Sequence, residues 1–453
     1  MLSGKGGSKS VRYCGFRLPA EQVLWQAGNA PACRTGRDCG IGEESKMSDH
    51  DSRLTTHNSR FKVPGFQFSG ISAGIKKNGV NDLGLIYSEV PAQVAGLFTT
   101  NQVKAAPVQI DIRRIKKGVC QAILINSGNA NACTGSQGLK DARRVSSFLA
   151  KQLKIVEESI LLSSTGVIGI PLPAEKILKG IPELIKRLSP DGWMKVVEAI
   201  MTTDTHPKME WATCRIKGKT VRLCGMVKGA GMIRPNLATM LSFLVTDAHI
   251  KGSLLQKMLK EAAAVSYNRI TIDGETSTND TVLLLANGKA GHPVLDRMDR
   301  EAETFKLMLF EICQKLAESL VRDGEGATKF IEIFIQGART GEDAKKAAYA
   351  IAHSPLVKTA FFGEDANWGR ILCALGHCGI PINPNRIDVS FDQASIVKNG
   401  MGVGARLEAK AAEVIKKKSF KVTVDLHQGK SFFSLLTTDL SLDYIKINAS
   451  YRS

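Results

Sequence analysis

The sequence lacks the features that define several common functional classes. Its 453 residues include 10 cysteines but no Cys-x-x-Cys pair, and the 8 histidines are dispersed. Zinc sites usually need closely spaced ligands, so we expect no bound metal. No apolar run approaches the roughly 20 residues that a membrane-spanning helix needs. This absence excludes an integral membrane protein built from such helices, and we predict no membrane partner.

Acidic and aromatic residues are also scarce. The chain has 43 Asp and Glu against 61 Lys and Arg, which gives a net charge of +18, and aromatic residues make up 6%. Excess positive charge suits nucleic acid, a membrane surface or acidic small substrates. The basic residues are scattered, however, and they do not alternate with aromatic residues. We therefore expect no nucleic-acid partner.

The length and the 43% hydrophobic content suffice for two or three domains, or for one large sandwich with an appendage. Residues 1–46 differ from the rest, because they are rich in Gly, Arg, Ser and Cys and show no periodicity. They also lack the apolar core of a signal peptide. We interpret them as a disordered leader or a mis-assigned start before Met47. Glu43 and Glu44 argue against an organellar transit peptide.

Apolar periodicity predicts strands and helices in mixed order along the rest of the chain. The main predicted strands cover 66–71, 83–88, 120–125, 220–227, 240–245, 282–286 and 330–335. The main predicted helices cover 173–188, with a break at Pro182, 191–202, 299–321, 342–352 and 405–417. This order favours layered α/β structure of the α+β kind over strict βαβ winding.

The chain is organised around the stretch Lys228–Ser242. A Gly-rich, Pro-punctuated segment leads into the apolar run 240–245, which is typical of a buried strand. Thr239 stands at the junction, directly after the small residue Ala238. We hypothesise that Thr239 is a nucleophile and that the chain cuts itself just before it. A purely structural threonine at the start of a strand is the alternative on these residues alone.

Self-cleavage would supply the base that a threonine hydroxyl needs. The new α-amine has a pKa of about 7.7–8.0, far below the roughly 10.4 of a lysine, so it is substantially neutral near pH 7. It lies within reach of its own hydroxyl, as in self-activated hydrolases and transferases. The flexible segment before Thr239 can bend the scissile peptide, and Ala238 offers no steric barrier.

The segment Gly229–Leu241 closely resembles the autocleavage segment of the glutamate N-acetyltransferase (ornithine acetyltransferase) family of arginine biosynthesis. The resemblance covers about residues 61–453 and continues in order through several separated motifs. These motifs are Gly96–Asn101, Asn126–Asn131, Ser164–Gly169, Met201–Thr205, Ser277–Thr281, Asp323–Lys329, Gly363–Arg370 and Ile447–Ala449.

The resemblance implies cleavage between Ala238 and Thr239. Thr239 then accepts acetyl from N-acetylornithine, releases ornithine and passes the acetyl group to glutamate, in a ping-pong scheme without a cofactor. Acetyl-CoA as a second acetyl donor stays open. Both half-reactions form a tetrahedral oxyanion, and the family places its donors at Thr165 and Gly166. An ordinary turn at the end of a strand is the alternative for these two residues.

The resemblance also implies a set of substrate-binding residues. They are Thr205, Lys228, Thr239, Glu325, Asn448 and Ser453. An α-amino acid needs a cation for its carboxylate and an anion for its ammonium group. Lys228 suits the first and Glu325 the second, although the sequence leaves the pairing open. A solvated lysine and a turn glutamate are the alternatives, and His206 is interpreted as structural or solvated.

The family architecture implies an αββα-type sandwich over residues 47–340 and a smaller C-terminal α+β domain over 341–453. It also implies a cytoplasmic α2β2 heterotetramer of processed chains. Arg234, Leu237 and Glu275 depart from the usual family pattern, and Arg234 adds a charge near the cut. Two other functions stay open: a self-cleaving amidase or aminopeptidase of the related fold, and a non-enzymatic nucleic-acid-binding protein.

Overall fold

The computed structural model describes residues 61–77, 79–234 and 240–450. The predicted leader 1–46 lies outside the described residues. The strands are β1 Phe66–Ile71, β2 Leu83–Phe98, β3 Val119–Asn129, β4 Ile160–Val167, β5 Lys208–Ile216, β6 Lys219–Lys228, β7 Leu241–Thr246, β8 Thr281–Ala286, β9 Phe330–Ala338, β10 Asp388–Phe391, β11 Ala394–Lys398, β12 Met401–Gly402, β13 Ser419–Asp425 and β14 Ser431–Thr438.

Eleven α-helices lie within the described residues. They are α1 Ala106–Arg114, α2 Gly135–Leu153, α3 Ala174–Lys186, α4 Trp193–Ile200, α5 Gly252–Val265, α6 Arg300–Arg322, α7 Gly341–Ala352, α8 Pro355–Phe362, α9 Trp368–Gly376, α10 Ala405–Ile415 and α11 Leu442–Ser450. None of these helices has both the length and the apolar composition to cross a membrane.

The larger sheet has the strand order β4-β3-β2-β8-β7-β6-β5, and β1 also pairs with β2. The long strand β2 joins two parts of this sheet. Its first part pairs with β1 and β3, and its last part, from Gln93 onwards, pairs with β8. The pairing with β3 shifts register between Tyr87 and Ala92. Such irregularities bend a strand, so β2 can belong to two packed layers.

The two parts of this sheet pack face to face. One buried cluster contains Ile123 and Ile125 from β3 together with Phe243 from β7 and Leu283 from β8. The alternate residues of the same strands point outward. Leu124 packs with α2 and α3, whereas residues of β6, β7 and β8 pack with α5 and α6. Alternation of period two therefore builds the order helix, sheet, sheet, helix, and the predicted αββα sandwich is confirmed.

The smaller sheet has the strand order β12-β11-β10-β13-β9-β14. Its core also contains apolar residues of α7, α8, α9 and α10. The strand β9 runs parallel to β13 and antiparallel to β14. The domain boundary at residue 340 stays a prediction, but β9 already belongs to this smaller sheet.

Most predicted elements are present, but one predicted feature is wrong and several elements were not predicted. The predicted break at Pro182 is wrong, because Pro182 lies inside the single helix α3. Ile177, Ile181 and Leu184 of that helix are fully buried in one cluster, and this packing outweighs the hydrogen bond that a proline loses. The short helices α1, α8 and α9 were not predicted, because fewer than three turns leave little periodicity to detect. The strands β5, β10 and β11 were not predicted either.

The face-to-face packing predicts a large cost for removing a central aromatic side chain. Phe243 is fully buried between the two parts of the sheet. Phe243→Ala should lower the free energy of unfolding by about 3–5 kcal/mol, as measured by chemical denaturation. Val156→Ala is the control, because Val156 is 65% exposed, and we expect a change below about 0.5 kcal/mol. Equal losses in both variants would contradict this packing.

Candidate active site

The predicted site residues that belong to the described ranges meet at one end of the sandwich. In the second part of the sheet, Lys228 ends β6 opposite Leu241 of β7, which in turn lies opposite Thr281 of β8. From the first part of the sheet, β4 brings Thr165 to the same place. The Lys228 ammonium group donates a hydrogen bond to Thr165 Oγ1 at 3.3 Å, and both residues are buried. This contact joins the two layers.

Gly166 lies within β4, beside Gly128 of β3. Its φ of 126° is a conformation that other residues rarely adopt. A Cβ atom at Gly166 would also lie 2.4 Å from the carbonyl carbon of Gly128. The absence of a side chain therefore lets β3 and β4 approach closely where Thr165 faces Lys228. These two residues belong to a strand and not to the turn that was the alternative.

The Lys228 ammonium group is a buried charge. Burial lowers its pKa, whereas the carboxylate of Asp204 favours the charged form. Asp204 accepts a hydrogen bond from the N–H of Gly229 at 2.7 Å, so it lies directly beside Lys228 in the fold. Burial raises the pKa of Asp204, but the ammonium groups of Lys228 and Lys208 outweigh this effect, and the pKa is lowered overall. An ionised carboxylate thus lies near Lys228 and stabilises its charged form.

Thr205 is held in place by a buried acid, Asp323. The N–H of Thr205 donates to Asp323 Oδ2 at 3.1 Å, and its hydroxyl donates to the same carboxylate. His206 lies beside this pair, with Nδ1 3.2 Å from Asp323 and a half-exposed ring. The backbone and hydroxyl of Thr205 therefore have a defined orientation next to the end of β6.

Glu325 and Asn448 also reach this end of the sandwich. The N–H of Glu325 donates to the carbonyl of Ala230 at 2.7 Å. Asn448 Nδ2, from α11, donates to Glu325 Oε2 at 2.9 Å. A Cβ at Gly231 would lie 2.3 Å from Glu325 Oε2, so the Gly-rich segment wraps closely around this carboxylate. The C-terminal helix thereby contacts a residue of the predicted site.

Three predicted site residues, Ala238, Thr239 and Ser453, lie outside the described residues. The flanks of the central segment are well anchored. The N–H of Ile233 donates to Asp273 at 2.9 Å, and the N–H of Met240 donates to Asp280 Oδ1 at 3.0 Å.

Asp280 differs from an ordinary carboxylate. Burial raises its pKa well above the usual range, which favours the neutral carboxyl group. Its Oδ2 atom has no hydrogen-bond partner among the described residues. The Met240 amide that it holds is bonded to the carbonyl carbon of Thr239. A neutral, buried acid is therefore anchored one peptide bond from the predicted nucleophile.

Sequence reasoning missed several titratable residues near the site. They are Lys76, Asp204, Lys208, Asp273, Asp280 and Asp323. Asp204, Asp280 and Asp323 lie inside motifs that were already recognised, so their position in the sequence was a usable signal. Lys76 had none, because only the fold brings its ammonium group within 2.6 Å of the Met201 carbonyl. Burial lowers its pKa to about 8.

The assembled groups suit a small zwitterionic ligand. Lys228 offers a cation, Glu325 offers an anion, and the hydroxyl of Thr165 can donate to an oxygen because it accepts from Lys228. Within the described ranges, no three His, Cys, Asp or Glu side chains group together as a metal site would require.

Known proteins resemble this chain over most of its length. The model of the ArgJ family matches residues 67–453. The arginine biosynthesis bifunctional protein ArgJ of Geobacter sulfurreducens is 50% identical over 391 residues, which cover 86% of this chain and 100% of that protein. The protein of the same name from Desulfotalea psychrophila is 49% identical over 392 residues, with coverage of 86% and 100%.

A solved structure also matches. It is the crystal structure of the arginine biosynthesis bifunctional protein ArgJ from Bacillus halodurans, with 39% sequence identity and a TM-score of 0.43. The match covers 45% of this chain and 96% of that chain.

The close approach of β3 and β4 predicts a graded response to alanine at two glycines. Gly166 and Gly169 both have positive φ, but only a Cβ at Gly166 meets the backbone, whereas Gly169 has open space around it. Gly166→Ala should therefore lower the thermal unfolding midpoint clearly more than Gly169→Ala, since it adds a clash to a strain of about 1–2 kcal/mol. Equal midpoints in the two variants would exclude this close approach as a constraint.

Proposed function

This chain belongs to the ArgJ family, and we propose that it moves an acetyl group from N-acetylornithine to glutamate in arginine biosynthesis. The names of the two relatives support an enzyme of that pathway. The observation that supports the chemistry best is the contact between Lys228 and Thr165 at the end of the sandwich. It puts a cation and a hydroxyl together directly before the segment that contains Thr239.

In this proposal the chain first cuts itself between Ala238 and Thr239. The Thr239 hydroxyl attacks the carbonyl carbon of Ala238, the peptide bond is replaced by an ester, and water then hydrolyses the ester. The products are a chain that ends at Ala238 and a chain that begins with the free amine of Thr239. Asp280 supports this step, because it fixes the next amide of the chain and is a neutral acid.

Acetyl transfer then proceeds in two half-reactions. The α-amine of Thr239 takes the hydroxyl proton while the oxygen attacks the acetyl carbon of N-acetylornithine. The amide bond breaks, the proton passes to the leaving nitrogen, and ornithine departs from an acetyl ester of Thr239. The amine of glutamate next attacks this ester and regenerates the hydroxyl. The hydroxyl of Thr165 and the N–H of Gly166 are the proposed donors to both oxyanions.

Recognition of the substrate uses opposite charges. We assign Lys228 to the α-carboxylate and Glu325 to an ammonium group, with Thr205, Asn448 and Ser453 as further contacts. Glu325 is oriented by Asn448, and Lys228 is buried where a desolvated ion pair is strong. Use of acetyl-CoA as a second donor, the α2β2 assembly and the cytoplasmic location stay predictions.

Self-cleavage predicts two fragments in the purified protein. Mass spectrometry should find one fragment whose first residue is Thr239. Thr239→Ala should stay uncut and inactive because it has no hydroxyl, whereas Thr239→Ser should keep part of both reactions. An uncut wild-type chain that transfers acetyl would rule out the self-cleavage scheme.

Transfer to an amino acid predicts a specific product. Wild-type protein with N-acetylornithine and glutamate should form equal amounts of ornithine and N-acetylglutamate, as quantified by liquid chromatography. Lys228→Met should raise KM for the donor by at least about 10-fold, because a charge-assisted hydrogen bond contributes roughly 1.5–3 kcal/mol. Release of free acetate without N-acetylglutamate would instead support the amidase alternative.

A further inference from the structure

One buried charge network connects three segments that carry predicted substrate contacts. Lys208 Nζ lies 2.7 Å from Asp204 Oδ1 and also contacts Asp323 Oδ2. The side chains of all three residues are at most 2% exposed. Lys208 begins β5, Asp204 belongs to the loop before it, and Asp323 directly follows α6. The network therefore ties together parts of the chain that are distant in sequence.

Each acid of this network holds a neighbouring site residue. Asp204 accepts from the N–H of Gly229, the residue after Lys228, at 2.7 Å. Asp323 accepts from the N–H and hydroxyl of Thr205. Asp323 also lies only two residues before Glu325. The positions of Lys228, Thr205 and Glu325 are thus linked through hydrogen bonds and short chain segments that start from the same buried network.

We propose that the Asp204–Lys208–Asp323 network is a positioning device that keeps Lys228 charged and sets the spacing of the substrate-binding groups. The inference rests on the proposed acetyl transfer. Asp204, Lys208 and Asp323 do not need to touch the substrate, because they act through Lys228, Thr205 and Glu325. They are positioning residues and not catalytic ones.

Charge balance explains why such a network is needed at this place. An isolated buried ammonium group is unfavourable and tends to lose its proton. The titratable groups that act on Lys228 are the carboxylates of Asp204 and Glu325, the ammonium group of Lys208, and the buried acid Asp280. The ammonium of Lys76 also lies nearby. The ammonium group of Lys208 lowers the pKa of Lys228 further, and the carboxylate of Asp204 is the largest influence that raises it.

The network also shares one cation between two acids. Asp204 alone would pair with either Lys208 or Lys228, but Asp323 binds Lys208 from the other side. Two carboxylates therefore surround the single cation Lys208. The negative charge of Asp204 is not fully compensated by Lys208, so it also stabilises the charged form of Lys228. Replacing Asp204 removes this support and leaves Lys228 facing a cation.

The test is Asp204→Asn in the full-length, self-processed protein. We measure donor kcat/KM against pH, and ornithine binding against pH by calorimetry. The alkaline limb of both profiles should move to lower pH by about one unit, because an adjacent opposite charge that stabilised the protonated lysine is lost. The acid limb should stay in place, since it reports another group, the Thr239 amine.

Asp247→Asn is the matched control. Asp247 is a fully buried acid that accepts from the N–H of Arg222 at 2.7 Å and pairs with its guanidinium group. Arg222 belongs to the same strand as Lys228 but lies near its opposite end. This variant should lower the thermal midpoint while leaving both pH profiles unchanged. A purely structural role of Asp204 would make the two variants behave alike.

A second variant covers the case in which Asp204→Asn fails to fold. Asp323→Asn keeps the shape of the acid but loses the ion pair with Lys208, and it should raise donor KM several-fold more than it lowers kcat. An unmoved alkaline limb in Asp204→Asn, or an unchanged KM in Asp323→Asn, would overturn the inference. Absence of acetyl transfer by wild-type protein would instead refute the proposed function, and ornithine binding would still test the network.

Discussion

The site depends on one constraint: the ammonium group of Lys228 is buried, and its charged form needs opposite charge nearby. It sits at the end of β6 and donates to Thr165 at 3.3 Å, so it bridges the two layers of the sandwich. A buried charge is stable only when hydrogen bonds and opposite charges surround it. The loop with Asp204 must therefore pack against β6, and the acid after α6 must complete the network.

The same constraint explains the glycines around the site. The backbone near Lys228 carries Gly229 and Gly231, and the latter leaves room for the Glu325 carboxylate. Gly166 lets β4 approach β3, which places Thr165 opposite Lys228. A side chain at Gly231 would collide with the Glu325 carboxylate, and one at Gly166 would collide with the backbone of β3. Close backbone approach and charge compensation are thus two parts of one arrangement.

Much of the fold follows from local patterns. Continuous apolar runs predicted the buried strands β7 and β8, and helical periodicity predicted α6 and α7, because each pattern reflects apolar surface that must leave water. The helix break predicted at Pro182 is wrong, because packing of the buried neighbours in α3 outweighs the tendency of proline to end a helix. The local conformational preference of a residue is overridden where tertiary packing contributes more free energy than that preference.

The sequence by itself determined the family, the order of motifs and the predicted residues Thr165, Gly166, Thr205, Lys228, Glu325 and Asn448. Only the tertiary structure decided that these residues meet, because their contacts join positions up to 123 residues apart in the chain. It also decided that Lys208 contacts Asp323, which no short motif connects. Burial and charge compensation depend on all neighbours in space, and a linear pattern contains only neighbours along the chain.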